Sequence, residues 1–254
     1  MTGLLTIVGL GPGDPRYLTP AASEALASAT DLVGYGPYVE RVPEQPGQRR
    51  HSSDNRVEID RARFALDLAA KGGRVAVVSG GDPGVFAMAA AVFEALENGD
   101  PAWRSLDIHV EPGITAMLAA AARAGAPLGG DFCAMSLSDN LKPWEVVEAR
   151  LRAAVAADFV VALYNPISSA RPWQLGAALK IVSEIRSPDT PVIIARAVMR
   201  RDERIKTLPL SEVEASMADM STVLIIGAST TRLIERAEGE APYVYTPRFY
   251  GVRP

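Results

Sequence analysis

The chain has 254 residues, of which 48% are hydrophobic and 22% are charged, and its formal net charge is −4. This length and composition predict one large or two modest globular domains and exclude a disordered chain. The negative charge argues against a protein that neutralises many nucleic-acid phosphates. The single cysteine excludes an internal disulfide and a cysteine metal cage, and neither of the two histidines has zinc-ligand spacing, so no metal is expected.

The sequence carries no signal for a membrane. It has no apolar run of 18 residues, and no basic region precedes the apolar N-terminal stretch, so neither a membrane span nor a signal peptide is predicted. We therefore expect a cytoplasmic protein. Arginines are concentrated at residues 41–63 and 196–204, and these clusters leave open a small polyanionic ligand on an otherwise acidic chain.

A glycine-rich loop follows the first predicted strand, which covers residues 4–10. The loop sequence at 9–14 is Gly-Leu-Gly-Pro-Gly-Asp, which begins like a dinucleotide-binding fingerprint but has Asp14 where that pattern needs glycine or alanine. The next helix is predicted to start only at Pro20, with Thr19 as N-cap. In a nucleotide-binding fold the helix would start on the glycines and face a phosphate, so this offset favours a ligand without phosphates.

Strands and helices alternate along the rest of the first half. We predict strands at 31–34, 75–79 and 106–110, and helices at 57–71, 85–96 and 117–123. Residues 35–55 are rich in proline, glycine and arginine and are predicted to form a functional or mobile loop. The alternation indicates an α/β domain with a largely parallel sheet, which we assign to residues 1–124.

The turn after the strand at 75–79 has the sequence Gly-Gly-Asp-Pro-Gly. Gly80 and Gly81 allow the backbone to approach a ligand closely, and Asp82 is predicted to present its carboxylate to a crevice. The alternative is that Asp82 only caps the helix that follows.

A stretch of small residues at 124–130 predicts the boundary to a second α/β domain, residues 125–254. Its predicted elements are strands at 132–137, 159–163, 192–195, 204–208 and 222–227, and helices at 143–156 and 172–185. A capping box at 211–214 predicts one more short helix.

Several predicted strands end in turns that contain glycine, proline or asparagine. Ligands of open α/β sheets bind outside the carboxyl ends of the strands, where the turns at 11–13, 80–82 and 112–115 lie. The turns at 164–166 and 195–197 offer equivalent positions in the second domain, which suggests a small-molecule ligand held between the two domains. No serine or cysteine has a histidine in a known nucleophile pattern, so the transferred group is expected to arrive on a cofactor.

Four motifs occur together in the chain: Val-Gly-Leu-Gly-Pro-Gly-Asp at 8–14, Gly-Gly-Asp-Pro at 80–83, Glu-Pro-Gly-Ile-Thr-Ala at 111–116 and Val-Leu-Ile-Ile-Gly at 223–227. In these motifs the chain resembles the tetrapyrrole methylase family, the S-adenosylmethionine-dependent enzymes of corrin and siroheme synthesis. The resemblance covers residues 4–235. Blocks typical of the subgroup that methylates precorrin-3B at carbon 17 lie at 132–139, 143–146, 163–166 and 171–175.

The resemblance implies two α/β domains of the tetrapyrrole methylase type with the active-site cleft between them, usually in a homodimer. It also implies S-adenosyl-L-methionine as the methyl donor, S-adenosyl-L-homocysteine as a product, and a small-molecule tetrapyrrole, precorrin-3B, as the substrate. The cofactor positions carried over from the family are Pro12, Gly80, Gly81, Asp82, Val85, Thr115, Ala116, Asn165 and Ala197. Tyr17 is expected to face the substrate, and Arg171 and Arg56 are expected to pair with its peripheral carboxylates.

The reaction implied by the resemblance is methylation of precorrin-3B with ring contraction to precorrin-4 in cobalamin biosynthesis. Methyl transfer needs alignment more than a strong base, whereas ring contraction needs a base at the bridging hydroxyl and an acid at the lactone oxygen. The candidates are Asp139, Ser138, Asp82 and Asp14. Asp139 is preferred because it lies in a block typical of the ring-contracting subgroup. The alternative is that Ser138 and Asp139 only cap the helix that starts at Pro143.

Other functions remain open from the sequence. The chain could methylate another corrin intermediate, such as the cobalt-containing cobalt-factor III, and the product mass and the metal requirement separate these reactions. A nicotinamide-dependent reductase would use the first glycine loop, against which the missing glycine and the late helix weigh. A non-catalytic module would bind S-adenosylmethionine without turnover.

Overall fold

The computed structural model describes residues 3–54 and 57–250, and the chain forms two compact units, Met1–Thr115 and Ala116–Pro254. The division lies one helix before the boundary predicted at residues 124 and 125. That helix packs on strands of the second unit and therefore belongs to it. Within the two described ranges, no helix has both the length and the apolar character needed to cross a membrane.

Helices and strands alternate along the first unit. Its strands are β1 (Leu4–Gly9), β2 (Asp31–Tyr35), β3 (Arg49–Ser53), β4 (Arg74–Ser79) and β5 (Asp107–Glu111), and its helices are α1 (Pro20–Ser28), α2 (Gly36–Val39), α3 (Glu58–Ala70) and α4 (Met88–Asn98). The five strands form one sheet in the order β3-β2-β4-β1-β5, and every neighbouring pair is parallel. The carboxyl ends of β1, β4 and β5 therefore lie side by side.

The central strands β1 and β4 are buried on both faces. In β1, Leu5 and Ile7 belong to one apolar cluster, whereas Val8 belongs to a second cluster. Residues of β4 alternate between the same two clusters. A strand in this position is covered on both faces, which explains why β1 and β4 are mainly apolar, with the buried Thr6 as a polar exception inside β1.

The loop predicted at residues 35–55 contains two elements that the sequence did not reveal, α2 and β3. Strand β3 has the sequence Arg-Arg-His-Ser-Ser, and it is an edge strand paired only with β2. It is tied to the sheet through the fully buried Asp31. Arg49 donates to the Asp31 carboxylate at 2.8 and 2.7 Å, and His51 Nε2 lies 2.9 Å from Oδ1. Thr30 Oγ1 donates to Oδ2 at 2.8 Å. The buried Asp31 carboxylate thus adds side-chain hydrogen bonds to the backbone pairing of a polar edge strand.

The Asp31 cluster makes the stability of the first unit sensitive to acid. Burial raises the pKa of Asp31, but hydrogen bonds from Arg49, His51 and Thr30 outweigh that effect and bring the pKa down to about 2, from 3.8. A depressed folded-state pKa stabilises the fold above the unfolded value, and the contribution is lost as the pH falls through the folded value. We expect this group to contribute about 2 kcal/mol that disappears between about pH 5 and about pH 2.

Urea unfolding at several pH values checks this expectation. Asp31→Asn should make the unfolding free energy depend less on pH between about pH 5 and about pH 2, because the asparagine does not titrate. Asp60→Asn is the matched control, since its parent carboxylate is 75% exposed in a long pair with Arg63. If the unfolding free energy of Asp31→Asn fell with acid as steeply as that of the wild type, the role of this cluster would be contradicted.

The second unit contains two sheets. Its helices are α5 (Ala116–Ala124), α6 (Trp144–Ala156) and α7 (Gln174–Ser183), and its strands are β6 (Gly125–Ala126), β7 (Phe132–Ser136), β8 (Val160–Tyr164), β9 (Pro191–Arg196), β10 (Arg204–Pro209), β11 (Thr222–Ile226), β12 (Arg232–Ile234) and β13 (Tyr243–Tyr245). The larger sheet has the order β10-β9-β11-β8-β7 and the smaller one β12-β13-β6. Strands β7 and β8 are parallel, while β11 is antiparallel to both β8 and β9. The carboxyl ends of β7, β8 and β9 consequently lie at one edge.

Two features of the second unit differ from the sequence prediction. The capping box predicted at 211–214 does not form a helix, and two short 3-10 turns stand there instead. Backbone hydrogen bonds from Leu210 to Thr190 and from Ser211 to Pro188 tie this segment to the loop before β9. These bonds explain why the segment does not form a longer helix. The smaller sheet was not predicted: its strand β13, near the C-terminus, pairs with β6.

Candidate active site

Three turns meet closely at the carboxyl ends of β1, β4 and β5. Gly11 and Gly81 exchange two backbone hydrogen bonds with N to O distances of 3.1 and 2.9 Å. A Cβ atom on Gly113 would lie 2.3 Å from the Gly81 carbonyl oxygen, and one on Gly9 would lie 2.7 Å from the Gly113 nitrogen. Glycine is therefore required at this edge for the three backbones to approach one another.

Asp82 joins two of these turns. Its Oδ1 accepts a hydrogen bond from the Gly84 backbone N–H at 2.8 Å, and its Oδ2 accepts one from the Gly113 N–H at 3.0 Å. Helix α4 begins at Met88 with no side-chain cap, so the alternative that Asp82 caps this helix is wrong. The helix starts later than predicted because Phe86 adopts a left-handed φ of 53°. Asp82 therefore fixes the turns on which the predicted cofactor positions lie.

Asp14 also organises its own loop. Its carboxylate accepts hydrogen bonds from the Arg16 backbone N–H at 2.9 Å and from the Arg16 guanidinium at 2.7 Å, and it caps the 3-10 turn Pro15–Tyr17. These contacts raise the pKa of Arg16, the hydrogen bond more than the charge. Tyr17 is half-buried at the end of this turn.

The remaining predicted positions of the first unit lie on the same three turns. Pro12 is buried after β1, and Val85 is half-buried after β4. A Cβ on Gly80 would lie 2.8 Å from the Tyr38 ring, so this turn packs on an aromatic side chain. Thr115 is buried at the end of the turn that follows β5. The first unit therefore brings its predicted cofactor residues together at one sheet edge.

In the second unit, polar residues gather where β7 and β8 end. Asn165 adopts a left-handed φ of 49°, and its Nδ2 donates to Ser136 Oγ at 3.0 Å. The same Oγ accepts a hydrogen bond from the Ser138 backbone N–H at 3.2 Å. Ser136 is 6% exposed and was not singled out from the sequence. It holds the Asn165 turn beside the Ser138 turn.

Asp139 is oriented by a buried amide. Gln174 Nε2 lies 3.1 and 3.0 Å from the two carboxylate oxygens of Asp139, and the Gln174 side chain is almost completely buried. Its Oε1 accepts a hydrogen bond from the Trp173 N–H at 3.2 Å. Helix α6 begins at Trp144 without a side-chain cap, so the alternative in which Ser138 and Asp139 cap it is wrong. The orientation of the Asp139 carboxylate is thus fixed by Gln174, which lies in helix α7.

Ala116 and Ala197 complete the predicted positions. Ala116 is the first residue of α5, and the next residue, Met117, donates its N–H to Tyr164 Oη at 2.9 Å. Ala197 follows β9 with a left-handed φ of 48° and donates its N–H to the Ser221 carbonyl at 2.9 Å. Asn165 and Ala197 follow strands that end at the same edge of the larger sheet, so the fold places both turns on one side.

Of the two arginines predicted to bind substrate, Arg56 lies outside the described residues, and Arg171 is bonded within the second unit. Arg171 is 6% exposed, and its guanidinium donates to the Asn165 carbonyl oxygen at 2.9 Å and to the Met220 sulfur at 3.3 Å. Its backbone exchanges two hydrogen bonds with Ser168. These contacts favour a role in fixing the Asn165 turn over the predicted contact with a substrate carboxylate.

Replacement of Arg171 separates these two roles. Arg171→Met should lower the unfolding free energy of the second unit by about 1 to 3 kcal/mol, because the Asn165 carbonyl loses a charged donor. Thermal unfolding measures the loss, and Arg201→Met, at an exposed arginine of the same unit, serves as control. Unchanged stability combined with a raised KM for the tetrapyrrole alone would contradict the structural role.

Each α/β unit places glycine or asparagine turns at the carboxyl ends of its parallel strands, which is where open α/β folds bind small-molecule ligands. A family model described as Tetrapyrrole (Corrin/Porphyrin) Methylases matches residues 4–214, and the chain therefore belongs to this family of methyltransferases. The family resemblance identified from the four sequence motifs is confirmed.

Curated relatives and solved structures agree with this assignment. The chain is 57% identical to a precorrin-3B C(17)-methyltransferase of Sinorhizobium sp over 98% of both chains. It is 38% identical to a probable cobalt-factor III C(17)-methyltransferase of Salmonella typhimurium, over 90% of this chain and 94% of that protein. The crystal structure of the methyltransferase CobJ superposes with a TM-score of 0.91 at 52% identity, covering 96% of this chain and all of the other. The predicted fold class, two α/β domains of the tetrapyrrole methylase type, is confirmed.

Proposed function

We propose that the protein transfers a methyl group from S-adenosyl-L-methionine to carbon 17 of precorrin-3B and contracts the ring to precorrin-4 in cobalamin biosynthesis. The observation that carries this proposal is the 57% identity to a precorrin-3B C(17)-methyltransferase over nearly the whole of both chains. The subgroup blocks at 132–139 and 163–166 support it, because their residues form the connected polar cluster around Ser136.

The turns of both units fit S-adenosylmethionine better than a dinucleotide. Helix α1 begins at Pro20, well after the first glycines, so its N-terminus is not placed to bind a pyrophosphate as a nicotinamide cofactor requires. The turns instead offer backbone N–H and C=O groups, which suit adenine, ribose hydroxyls and an amino acid group. The residues that would hold the cofactor are Pro12, Gly80, Gly81, Asp82, Val85, Thr115, Ala116, Asn165 and Ala197. When bound, it supplies an electrophilic methyl group on a sulfonium.

Among the four candidate acids and bases, Asp139 is our choice for proton transfer during ring contraction. Asp14 accepts a backbone N–H of its own turn, and Asp82 accepts one from its own turn and one from the Gly113 turn. Asp139 instead accepts from a side-chain amide, which orients the carboxylate without protonating it. A base positioned in this way could take the proton of the bridging hydroxyl and return one to the lactone oxygen. Ser138, the residue before Asp139, could assist by hydrogen bonding to the substrate.

Turnover tests the proposal directly. The purified protein is incubated without oxygen with S-adenosylmethionine and enzymatically generated precorrin-3B, and the tetrapyrrole is analysed by mass and absorbance. We expect a gain of one methyl group and loss of the starting chromophore. Binding of S-adenosylmethionine without methyl gain would leave the family intact and reject this substrate.

A cobalt-containing substrate is the second candidate, because the Salmonella typhimurium relative is a probable cobalt-factor III C(17)-methyltransferase. The same assay with cobalt-factor III in place of precorrin-3B separates the two. Higher kcat/KM for the metallated compound would assign the chain to that reaction.

We further propose that the enzyme is a homodimer, as the family resemblance implies, and that it is located in the cytoplasm. Light scattering after size-exclusion chromatography gives the mass in solution, and a monomeric mass would reject the dimer. Cell fractionation with an antibody against the chain tests the location.

A further inference from the structure

Lys142 stands beside the Asp139 turn and was not singled out from the sequence. It lies in the loop between β7 and α6 and is half-buried. Its ammonium Nζ donates to the backbone carbonyl oxygen of Ser136 at 3.0 Å. An ammonium group has three donors, so this hydrogen bond leaves further N–H groups for a ligand.

The surroundings of Lys142 do not stabilise its positive charge. Burial lowers the pKa of this ammonium, and the positive charge of Arg150 lowers it further. No acidic group in the part of the chain that the structure describes raises it. A cation that is partly removed from water loses solvation, and a nearby anion offsets that loss. The chain therefore holds a cation in a place where both electrostatic influences disfavour it.

Ser136 fixes the position of this cation relative to the rest of the site. Its carbonyl oxygen accepts from Lys142, and its hydroxyl oxygen accepts from Asn165 Nδ2 and from the Ser138 N–H. The ammonium is thus attached to the same residue as the Asn165 turn and the Ser138 turn. Arg171 uses two of its guanidinium nitrogens on the Asn165 carbonyl oxygen and the Met220 sulfur. Lys142 has one hydrogen bond, to the Ser136 carbonyl oxygen, and so keeps further N–H groups for an anion.

We propose that Lys142 binds a peripheral carboxylate of the tetrapyrrole substrate and so places the macrocycle next to Asp139. The inference rests on the proposed function, which supplies a substrate with acetate and propionate side chains. A carboxylate would restore the missing counter-charge at the ammonium and form a charge-assisted hydrogen bond. The methionine carboxylate of S-adenosylmethionine has the same chemistry, so the experiment must separate the two sources.

Steady-state kinetics of three variants test the proposal. Lys142→Met keeps the length of the side chain without its charge, and Lys142→Arg keeps the charge. Lys180→Met, at an exposed lysine of α7, is the matched control. We expect Lys142→Met to raise the KM for precorrin-3B by about tenfold or more with a smaller change in kcat. Its Kd for S-adenosylmethionine should stay at the wild-type value, and Lys142→Arg should recover most of the KM.

Three outcomes would overturn the proposal. They are an unchanged KM in Lys142→Met, a loss of kcat alone, and a weaker affinity for S-adenosylmethionine. The last would assign the ammonium to the cofactor carboxylate. Failure of the proposed function is recognised separately, because the wild type itself would then not convert precorrin-3B.

Labelling of the wild-type protein keeps the proposal testable if Lys142→Met does not fold. Reductive methylation of lysines is followed by peptide mass spectrometry with no ligand, with S-adenosylmethionine, and with uroporphyrin III as a stable tetrapyrrole carrying acetate and propionate groups. We expect uroporphyrin III, and not S-adenosylmethionine, to slow labelling of Lys142 severalfold while Lys180 is labelled at the same rate. Equal labelling of Lys142 under all three conditions would overturn the proposal.

Discussion

Gly113→Ala should destabilise the first unit by about 3 kcal/mol or more and weaken binding of S-adenosylmethionine. The new methyl group would lie 2.3 Å from the Gly81 carbonyl oxygen and 3.0 Å from the Gly9 Cα, and both are backbone atoms that cannot rotate away. To make room, the turn after β5 must move away from the turns after β1 and β4. That movement also breaks the hydrogen bond from Gly113 to Asp82. Stability and cofactor affinity should therefore fall together.

Urea unfolding and calorimetric titration with S-adenosylmethionine measure these two effects. Gly36→Ala is the matched control, because it lies in the same unit and its Cβ would meet nothing within 4 Å. We expect that control to keep both stability and affinity. If Gly113→Ala were as stable as the control, the backbones of the three turns would not be in close contact. If it were less stable but bound the cofactor normally, the turns would not be the cofactor site.

The sheet of the first unit could be predicted where burial leaves a direct mark on the sequence. β1 and β4 are mainly apolar along their length because both faces are covered, and both strands were predicted. β3 could not be predicted in this way, since it is an edge strand of polar residues that pairs with β2 and bonds to the buried Asp31 carboxylate. The late start of α4 could not be predicted from the sequence either. It depends on the left-handed conformation of Phe86, which a phenylalanine rarely adopts.

The candidate site divides in a similar way. Turn residues could be placed because strand ends and family motifs identify them, and the fold brings them to two sheet edges. The partners of those residues could not be predicted, since Gln174 and Asp139 are distant in sequence and meet only in the folded unit. The partners of Arg171 were also not predicted. A guanidinium beside a site motif suggested a substrate ligand, and the structure shows it donating to the Asn165 carbonyl oxygen and the Met220 sulfur.

Asp139→Asn should separate methyl transfer from ring contraction. Methyl transfer needs alignment of the donor and the ring carbon, and asparagine keeps the size of the side chain, so methylation should continue at near the wild-type rate. Contraction should slow by about 10²-fold to 10⁴-fold, because the variant has no carboxylate to accept the hydroxyl proton. The expected product is a methylated tetrapyrrole that has not contracted.

Contraction moves a proton from the hydroxyl to the lactone oxygen without changing the mass, so the two products must be distinguished by absorbance. Asp189→Asn, at an exposed carboxylate of the same unit, controls for the loss of a charge. Gln174→Leu provides an independent comparison, since it removes the amide that orients Asp139 and leaves the carboxylate in place. Its contraction rate should fall less than that of Asp139→Asn, while methylation is again retained. Equal loss of both reactions in Asp139→Asn would show that Asp139 holds the substrate for methyl transfer, and the base for contraction would then have to be sought elsewhere in the site.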